Sequence, residues 1–281
     1  MIKIFSRKLK RFFITICITV YLFDLFLLIK TDRVESFLSY PIYLLKATTA
    51  YLSRSQLPVK PAKAFTIALI GDSMTDYLKG GQNELKNQLK IYYPDKDFVI
   101  YNYGFGSTNI LSVMNRLTNN VSYQGSVYPA ILGEQYDLII LESFGNNPLS
   151  QFSIEEGLKK QTQELDKIAS YIARKHPRSY LAFMATISPN KFFYGTGVVN
   201  LNQNTRIKWS EERVQYIKNH IKYAKDHKIP LINAFDDSIE NGTGNISYLN
   251  PGDYIHPSLL GINFIIQKIS QEIYKQRILP L

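Results

Sequence analysis

The 281-residue chain contains a single cysteine, Cys17, and it shows no internal repeat and no low-complexity tract. One cysteine cannot form an intrachain disulfide, and it cannot supply the ligands of a cysteine-based metal site. Hydrophobic residues make up 45% of the sequence and charged residues 20%, a composition typical of a folded protein rather than a disordered one. The length fits one globular domain of about 200 residues with an N-terminal appendage.

The charge distribution lacks the pattern of a nucleic-acid-binding protein. The formal net charge is +10, but five basic residues precede the first acid, Asp24, and account for half of this excess. These are Lys3, Arg7, Lys8, Lys10 and Arg11. Basic residues elsewhere are scattered among acids and form no stripe, so we expect no nucleic-acid partner.

An almost uninterrupted apolar run, residues 12–29, follows the basic arm at residues 1–11. As a helix this run would span roughly 27 Å, close to the hydrocarbon thickness of a bilayer. Basic residues before the run and fewer after it predict a single-pass membrane anchor, with the N-terminus in the cytoplasm and the rest of the chain outside. Asp24 weakens this prediction, because a carboxylate at that depth is costly unless it is protonated or paired.

Two alternatives to an anchor are a cleaved signal peptide and a buried or surface-lying helix. No small-x-small cleavage site follows the run, which argues against a signal peptide, and Cys17 lacks the preceding lipobox of a lipoprotein. Residues 30–63 are amphipathic and close with Pro58 and Pro61, which predicts a juxtamembrane helix and a short linker. The globular domain is then predicted at residues 64–281.

Short apolar runs alternate with segments of helical periodicity from residue 64 onward. The apolar runs lie at 65–70, 98–101, 137–142, 180–187 and 230–235, and the clearest helical patterns lie at 154–175, 209–227 and 258–276. Five apolar strands separated by helices predict a parallel sheet covered on both faces. In such sheets the ligand crevice lies beyond the carboxyl ends of the strands, so polar residues at these ends are candidates for a functional site.

Ser73 is the first such candidate, because it follows the first predicted strand directly after Gly71 and Asp72. Its hydroxyl would lie at the carboxyl edge of the sheet, and its backbone N–H near a helix N-terminus, where developing negative charge is stabilised. A serine in this position would also serve as an ordinary helix N-cap. As a nucleophile it would need a base to take its proton and an acid to orient that base.

Asp253 and His256 supply an acid and a base just before the last predicted helix. Their spacing can bring the carboxylate to one imidazole nitrogen and leave the other free to face Ser73. The alternative is an aspartate N-cap beside a solvated histidine. We expect the other histidines to be solvated, because they lie on a polar helix or at a helix end. They are His176, His220 and His227.

The second and third strands also end in residues suited to a site. Gly104 and Gly106 would let a substrate approach the backbone closely, although turn formation alone would explain them. Asn146 and Asn147 offer amide donors to an oxyanion, although loop asparagines are commonly turn formers. Several aromatic residues lie in or beside the segment 188–208, and we expect them to pack between sheet and helix. They are Phe192, Phe193, Tyr194 and Trp209. The alternative is that these aromatic rings stack on sugar rings or line an acyl pocket.

Four short motifs together resemble the sequence blocks of the SGNH/GDSL hydrolase family. They are the Gly-Asp-Ser at 71–73, the glycine turn at 104–106, the Gly-x-Asn at 145–147 and the Asp-x-x-His at 253–256. The motifs occur in the family's order, each after the expected strand, and cover residues 64 to about 276. The resemblance implies a three-layer α/β/α, flavodoxin-like fold with a parallel five-stranded sheet. It also implies an ester hydrolase or O-acyltransferase that uses no metal or organic cofactor.

The resemblance assigns the catalytic roles residue by residue. Ser73 matches the nucleophile, whose backbone N–H also serves the oxyanion hole. His256 matches the general base, and Asp253 matches the acid that orients it. The residue after the nucleophile is Met74, where the family usually has leucine.

Two residues are candidates for each of the other two oxyanion-hole donors. Gly106 matches the family's oxyanion glycine best, with Gly104 as the alternative. Asn147 matches the family's asparagine, with Asn146 as the alternative. Pro148 stands where the family has an aspartate, and it restricts Asn147 toward an extended backbone, so the turn is expected to differ from the family's.

These observations predict a serine esterase that works through an acyl-enzyme, with its catalytic domain outside the cell membrane. The expected substrate is an O-acyl group, such as an O-acetyl ester, on carbohydrate of the cell envelope. The alternatives are a lipid or lysophospholipid esterase and an O-acyltransferase. A further alternative is a membrane-tethered binding or scaffold domain without turnover, which the altered third motif would favour.

Overall fold

The structure is a computed structural model and describes residues 64–280. The basic arm, anchor and linker predicted at residues 1–63 lie outside the described residues. Within residues 64–280, no helix is both long enough and apolar enough to cross a membrane.

The central feature of the described region is a five-stranded sheet with the order β2-β1-β5-β6-β7, in which every neighbouring pair is parallel. In chain order the strands of residues 64–280 are β1 (Ala64–Gly71), β2 (Asp97–Gly104), β3 (Val121–Tyr123), β4 (Ser126–Tyr128), β5 (Leu138–Glu142), β6 (Tyr180–Ala185), β7 (Leu231–Asn233), β8 (Ile239–Glu240) and β9 (Thr243–Gly244). Strands β3 and β4, and likewise β8 and β9, form short antiparallel pairs outside this sheet.

Helices fill the connections between the strands. The α-helices of the described region are α1 (Ser73–Asp76), α2 (Gln82–Tyr92), α3 (Val113–Thr118), α4 (Ile154–Lys175), α5 (Gln203–Asp226), α6 (Ala234–Asp237) and α7 (Leu259–Lys275). Short 3-10 turns lie at Tyr77–Gly81, Ile110–Ser112, Ile131–Gly133 and Ile246–Tyr248.

The predicted parallel sheet is confirmed, and the boundaries show where local chemistry overrides the apolar pattern. The run at 230–235 was expected to be one strand, but β7 stops at Asn233 because the side chain of Asn233 accepts a hydrogen bond from the N–H of Asp236 and starts α6. Helix α4 has the predicted bounds, with Ser153 as its N-cap. Helix α5 begins earlier than predicted, because Asn202 caps it.

The sheet buries both of its faces, which produces the predicted three layers. Along β1, Ile67 and Leu69 belong to an apolar cluster formed with α2 and α7. Ala68 and Ile70, which point to the opposite face, belong to a second cluster formed with α3, α4 and α5. Successive side chains of a strand alternate between faces, so an apolar strand needs helices on both sides.

The prediction that three histidines are solvated is wrong for two of them. His220 is fully buried on α5 and stacks on Phe183 with ring centroids 4.4 Å apart. Burial lowers its pKa to about 3, so it stays neutral in the folded protein. His176 is 3% exposed, and its Nε2 lies 3.0 Å from the carbonyl oxygen of Leu132. His227 is exposed, as predicted.

The sheet brings the candidate site residues to one edge. In the register of β1 and β2, Gly71 lies opposite Gly104, so both strands end at the same level. Strand β5 pairs with β1 on its other side and ends at Glu142. The segments that follow these three strands therefore meet beyond the carboxyl edge, where a parallel sheet places its ligand crevice.

Candidate active site

Ser73 is the first residue of α1, one position after the helix cap. The N-cap is Asp72, whose Oδ1 accepts a hydrogen bond of 2.8 Å from the N–H of Met74. The alternative that Ser73 itself caps the helix is therefore not what the structure shows. Its half-buried side chain lines a cavity of about 550 Å³.

Asp253 and His256 form a hydrogen-bonded pair, as their spacing suggested. The Nδ1 of His256 lies 2.8 Å from Oδ2 of Asp253. The other carboxylate oxygen, Oδ1, accepts hydrogen bonds from the N–H groups of Ile255 at 2.8 Å and His256 at 3.0 Å. Burial opposes ionisation of this carboxyl, but the three hydrogen bonds outweigh it and lower the pKa of Asp253.

The ionised carboxylate sets the orientation of the imidazole. An aspartate that accepts from Nδ1–H leaves Nε2 as the basic nitrogen. The ring of Tyr77 stacks on His256 with centroids 4.4 Å apart and an angle of 6° between the planes. His256 lines the same cavity as Ser73. No hydrogen bond joins Ser73 Oγ to His256 Nε2 within residues 64–280, and in unliganded sites such bonds are often long.

The two candidate oxyanion glycines occupy different environments. A Cβ on Gly106 would lie 3.6 Å from the Cβ of Ser73, and Gly106 lines the cavity. A Cβ on Gly104 would lie 2.2 Å from the backbone nitrogen of Asp76, so Gly104 allows β2 to pack closely against α1. The structure thus places Gly106 beside the candidate nucleophile and Gly104 behind it.

Both asparagines of the third motif line the cavity. The Nδ2 of Asn147 donates a hydrogen bond of 2.8 Å to Oδ2 of Asp72. The Oδ1 of Asn146 accepts a hydrogen bond of 3.2 Å from the hydroxyl of Tyr194. An amide nitrogen carries two protons, so Asn147 keeps one for a ligand, and the structure leaves both asparagines as candidates.

A buried carboxyl pair lies beneath the turn that carries Ser73. Asp72 and Glu142 are both fully buried, and the N–H of Asp72 donates to Oε2 of Glu142 at 3.3 Å. Burial raises the pKa of Asp72, and burial together with the charge of Asp72 raises the pKa of Glu142 well above its usual range. Two carboxyls this close cannot both ionise cheaply, so we assign the proton to Glu142.

Arg116 places a buried guanidinium close to the carboxyl pair. Its Nη1 donates to the carbonyl oxygens of Gly71 at 2.8 Å and Tyr103 at 2.9 Å. Burial lowers its pKa to about 10, while the charges of Asp72 and Glu142 act in the opposite direction. Arg116 is therefore charged at neutral pH and favours one anion beneath the nucleophile turn.

Sequence reasoning missed Arg213, which lines the cavity together with Tyr194 and Trp209. Arg213 donates from Nε to the hydroxyl of Tyr194 at 2.6 Å, and its guanidinium carbon lies 5.2 Å from the ring centroid of Trp209. Trp209 is 38% exposed and lines the cavity, so the favoured expectation of interior packing is wrong for this residue, and the alternative of a cavity-lining ring describes it better. The sequence could have indicated this pair, because Trp209 and Arg213 are four residues apart in a predicted helix and such residues lie side by side on one face.

No family model and no curated protein matches the sequence at a significant level. In structure, the chain is similar to a lipase/acylhydrolase from Enterococcus faecalis, with a TM-score of 0.53 and 16% identity over 75% of this chain and 96% of that one. It is also similar to an acetyl xylan esterase, with a TM-score of 0.53 and 13% identity over 74% of this chain and 100% of that one.

A GDSL-like lipase from Bacteroides thetaiotaomicron gives a TM-score of 0.52 and 12% identity, over 82% of this chain and 97% of that one. Each of these solved structures is covered almost completely, so the similarity extends over a whole domain rather than one motif. The described part of the chain therefore has the fold of the SGNH/GDSL hydrolases.

Proposed function

We propose that the protein is a serine ester hydrolase that works through an acyl-enzyme intermediate. The observation that carries the proposal is the Asp253–His256 hydrogen bond facing the same cavity as Ser73, at the carboxyl edge of a sheet with the SGNH/GDSL fold. The names of the similar structures, lipase/acylhydrolase and acetyl xylan esterase, support an ester as the substrate.

The first half-reaction forms the acyl-enzyme. His256 Nε2 takes the proton of Ser73 Oγ, which attacks the ester carbonyl carbon and turns the carbonyl oxygen into an oxyanion. The N–H groups of Ser73 and Gly106 and the amide of Asn147 hold this oxyanion. Removal of one such donor typically costs about 2.7–4 kcal/mol of transition-state stabilisation. As the intermediate collapses, the alcohol leaves with the proton that His256 returns.

The second half-reaction frees the serine. His256 deprotonates water, which attacks the acyl carbon, and the carboxylic acid leaves while Ser73 recovers its proton. If a sugar hydroxyl takes the place of water, the same steps make the protein an O-acyltransferase. Both reactions would use the same groups, so the acceptor distinguishes the two.

The proposed substrate is an O-acyl group, such as an O-acetyl ester, on carbohydrate of the cell envelope. Trp209 and Tyr77 line the cavity with 38% and 39% of their surfaces exposed. Exposed aromatic surface beside a polar cavity suits the apolar faces of sugar rings, and large amphipathic side chains are common in such sites. The similarity to an acetyl xylan esterase supports the same class of substrate.

A lipid or lysophospholipid ester is the second candidate substrate. Phe192 and Phe193 are 47% and 41% exposed, and the ring of Phe193 lies 5.3 Å from that of Tyr254, two residues from His256. Exposed apolar surface of this kind would suit an acyl chain. The similarity to a lipase/acylhydrolase is in keeping with it.

The proposed location is the outer side of the cell membrane, with residues 12–29 as a single-pass anchor. The apolar run and the basic arm before it support this location. Such an anchor would hold the domain near envelope glycans, which agrees with the first substrate.

Labelling by a fluorophosphonate probe tests the proposed nucleophile in the full chain, purified in a mild detergent. Ser73→Ala is expected to abolish labelling while the circular dichroism spectrum stays unchanged. Ser107→Ala is the matched control, because Ser107 lines the same cavity. This variant is expected to be labelled like wild type. Equal labelling of Ser73→Ala and the wild type would overturn the assignment.

A panel of p-nitrophenyl esters and acetylated oligosaccharides tests the substrate. Preference for acetyl over octanoyl esters, with acetate released from acetylated xylo-oligosaccharides or peptidoglycan fragments, would support the carbohydrate substrate. Preference for long chains would support the lipid ester. A folded protein without activity on any ester, and without labelling of Ser73, would favour a binding or scaffold domain.

A further inference from the structure

The hairpin formed by β3 and β4 places the hydroxyl of Tyr123 against the backbone of Gly106. The N–H of Gly106 donates a hydrogen bond of 2.8 Å to this hydroxyl. The hydroxyl in turn donates to Oδ2 of Asp76 at 2.8 Å and accepts from Nε2 of Gln124 at 3.0 Å. The N–H that would hold a substrate oxyanion is therefore already bonded to a side chain.

Counting protons shows that this arrangement blocks the donor. A backbone N–H has one hydrogen, and that of Gly106 points at Tyr123. A phenol also has one hydrogen, and that of Tyr123 goes to the carboxylate of Asp76. The Tyr123 hydroxyl thus occupies the place of a substrate oxygen and has no proton of its own left to offer an oxyanion.

Several contacts hold Tyr123 in this position. Its ring stacks on Phe105 with centroids 4.5 Å apart and an angle of 14° between the planes. Its acceptor, Asp76, is fixed by an ion pair of 2.5 Å with Lys79. Burial and the bond to Asp76 raise the pKa of Tyr123 to about 12, so the hydroxyl keeps its proton at any pH where the enzyme would work.

We propose that Tyr123 is a gate on the oxyanion hole, which an ester substrate must displace before the N–H of Gly106 can stabilise the transition state. The inference rests on the proposed function, because it gives a role to the oxyanion hole of that esterase. Displacement needs only a rotation of the Tyr123 side chain or a shift of a small hairpin. Its tip, Gln124 and Gly125, is exposed and has positive φ angles of 47° and 69°.

If Tyr123 is a gate, removal of its hydroxyl should raise the rate, whereas removal of a catalytic donor would lower it. The substrate must replace a hydrogen bond that the resting protein already makes, and a typical hydrogen bond of this kind shifts an equilibrium by roughly two- to ten-fold. Tyr123→Phe keeps the stacked ring and removes the hydroxyl. We therefore expect this variant to raise kcat/KM by roughly two- to ten-fold, and the rate of fluorophosphonate labelling of Ser73 by a similar factor.

Tyr128→Phe is the matched control. Tyr128 lies on the same hairpin and packs its ring edge against Phe105 at 4.8 Å, but its hydroxyl accepts from Lys79 rather than from Gly106. We expect this variant to have wild-type kcat/KM. Asp76→Asn is the second test of the gate, because it keeps the shape of the acceptor and removes the charge that holds the Tyr123 proton. A rise in kcat/KM smaller than that of Tyr123→Phe is expected.

The amide proton of Gly106 gives a readout that does not depend on turnover. In the NMR spectrum of the ¹⁵N-labelled full chain, Tyr123→Phe should move this proton upfield and speed its exchange with solvent, whereas Tyr128→Phe should not. A folded Tyr123→Phe variant with reduced or unchanged kcat/KM, or with an unmoved Gly106 proton, would overturn the gate. If wild-type Ser73 is not labelled at all, the proposed function fails, and the Gly106 proton still decides whether Tyr123 occupies its N–H.

Discussion

Replacing Glu142 with glutamine removes an ionisable group from a fully buried position beneath the nucleophile turn. The Oε1 of Glu142 accepts from the hydroxyl of Ser143 at 2.7 Å and from the N–H of Phe144 at 3.0 Å. A glutamine oxygen can accept both of these bonds, and its amide can donate to the carboxylate of Asp72 in place of the carboxyl proton. The bond of 3.3 Å that Oε2 accepts from the N–H of Asp72 is lost, and this loss lowers stability equally at every pH. The variant should therefore keep the fold and differ from wild type in its response to pH.

The sign of this difference follows from the raised pKa. Burial, followed by the charge of Asp72, raises the pKa of Glu142 well above its usual 4.5. From about pH 5 upward the unfolded chain has released this proton and the folded protein still holds it, so the free energy of unfolding falls as the pH rises. One retained proton gives a slope of at most about 1.4 kcal/mol per pH unit.

Other groups titrate in the same range, so the difference between the two proteins is the useful quantity. Buried His220 has a pKa lowered to about 3, so its contribution to stability rises with pH up to the histidine pKa of the unfolded chain. This contribution is common to wild type and Glu142→Gln and cancels. The wild-type free energy of unfolding minus that of the variant should decrease from pH 5 toward pH 8, until the pKa of Glu142 in the folded state is reached.

Urea unfolding followed by fluorescence of Trp209, the sole tryptophan, measures this difference in the full chain in mild detergent. Glu134→Gln is the control, because Glu134 is exposed and this change should give a curve parallel to that of wild type. Parallel curves for Glu142→Gln and wild type between pH 5 and pH 8 would show that Glu142 is ionised in the folded protein. The assignment of the buried proton would then be refuted.

Two further predictions concern the proposed catalytic groups. Asp253→Asn should lower kcat by about 10³- to 10⁴-fold, because an amide in place of the carboxylate leaves the imidazole in the wrong tautomer. The variant should also lose some stability at neutral pH, because the lowered pKa of Asp253 means that the fold stabilises its ionised form. Steady-state ester hydrolysis by the folded variant measures the change in kcat, and a loss below ten-fold would contradict the role of Asp253. Gly104→Ala should unfold the protein or greatly lower its melting temperature, since its Cβ would lie 2.2 Å from the nitrogen of Asp76. Gly106→Ala should fold, since its Cβ would meet only two side chains, at 3.0 Å and 3.6 Å, but it should lose activity because this Cβ would take up cavity space beside Ser73 that the substrate needs. The reverse pattern would make Gly104 the oxyanion donor.

Much of the fold was accessible from the sequence because strands buried on both faces are apolar throughout. The run at 137–142 contains β5, whose five residues are all buried, and no other element type explains so short an apolar run between helices. The run at 230–235 was only partly correct, since a single side-chain cap at Asn233 ends the strand. Such caps depend on local hydrogen bonds that an apolar pattern does not record.

Sequence reasoning likewise predicted the local contacts of the candidate site and missed the contacts between distant segments. The pair of Asp253 and His256 was predictable because three residues of chain bring the two groups together in one turn. The contact of Tyr123 with Gly106 was not, because it joins a short exposed hairpin to the end of a strand 17 residues earlier. The burial of His220 also escaped prediction, because it depends on packing of this helical residue against Phe183 on strand β6.

Two donors of the predicted oxyanion hole, which we call its arms, are the side-chain amide of Asn147 and the backbone N–H of Gly106. They differ in how they are held before substrate binds. The amide of Asn147 is fixed by Asp72, a fully buried residue that also caps the helix of the nucleophile. Asn147 keeps a second amide proton, so this bond orients the arm without occupying it, and such preorganisation strengthens transition-state binding. The N–H of Gly106 has a single proton, so its bond to Tyr123 occupies the arm completely. We infer that the Asn147 arm is fixed by the fold and that the Gly106 arm is the part of the site that substrate binding controls.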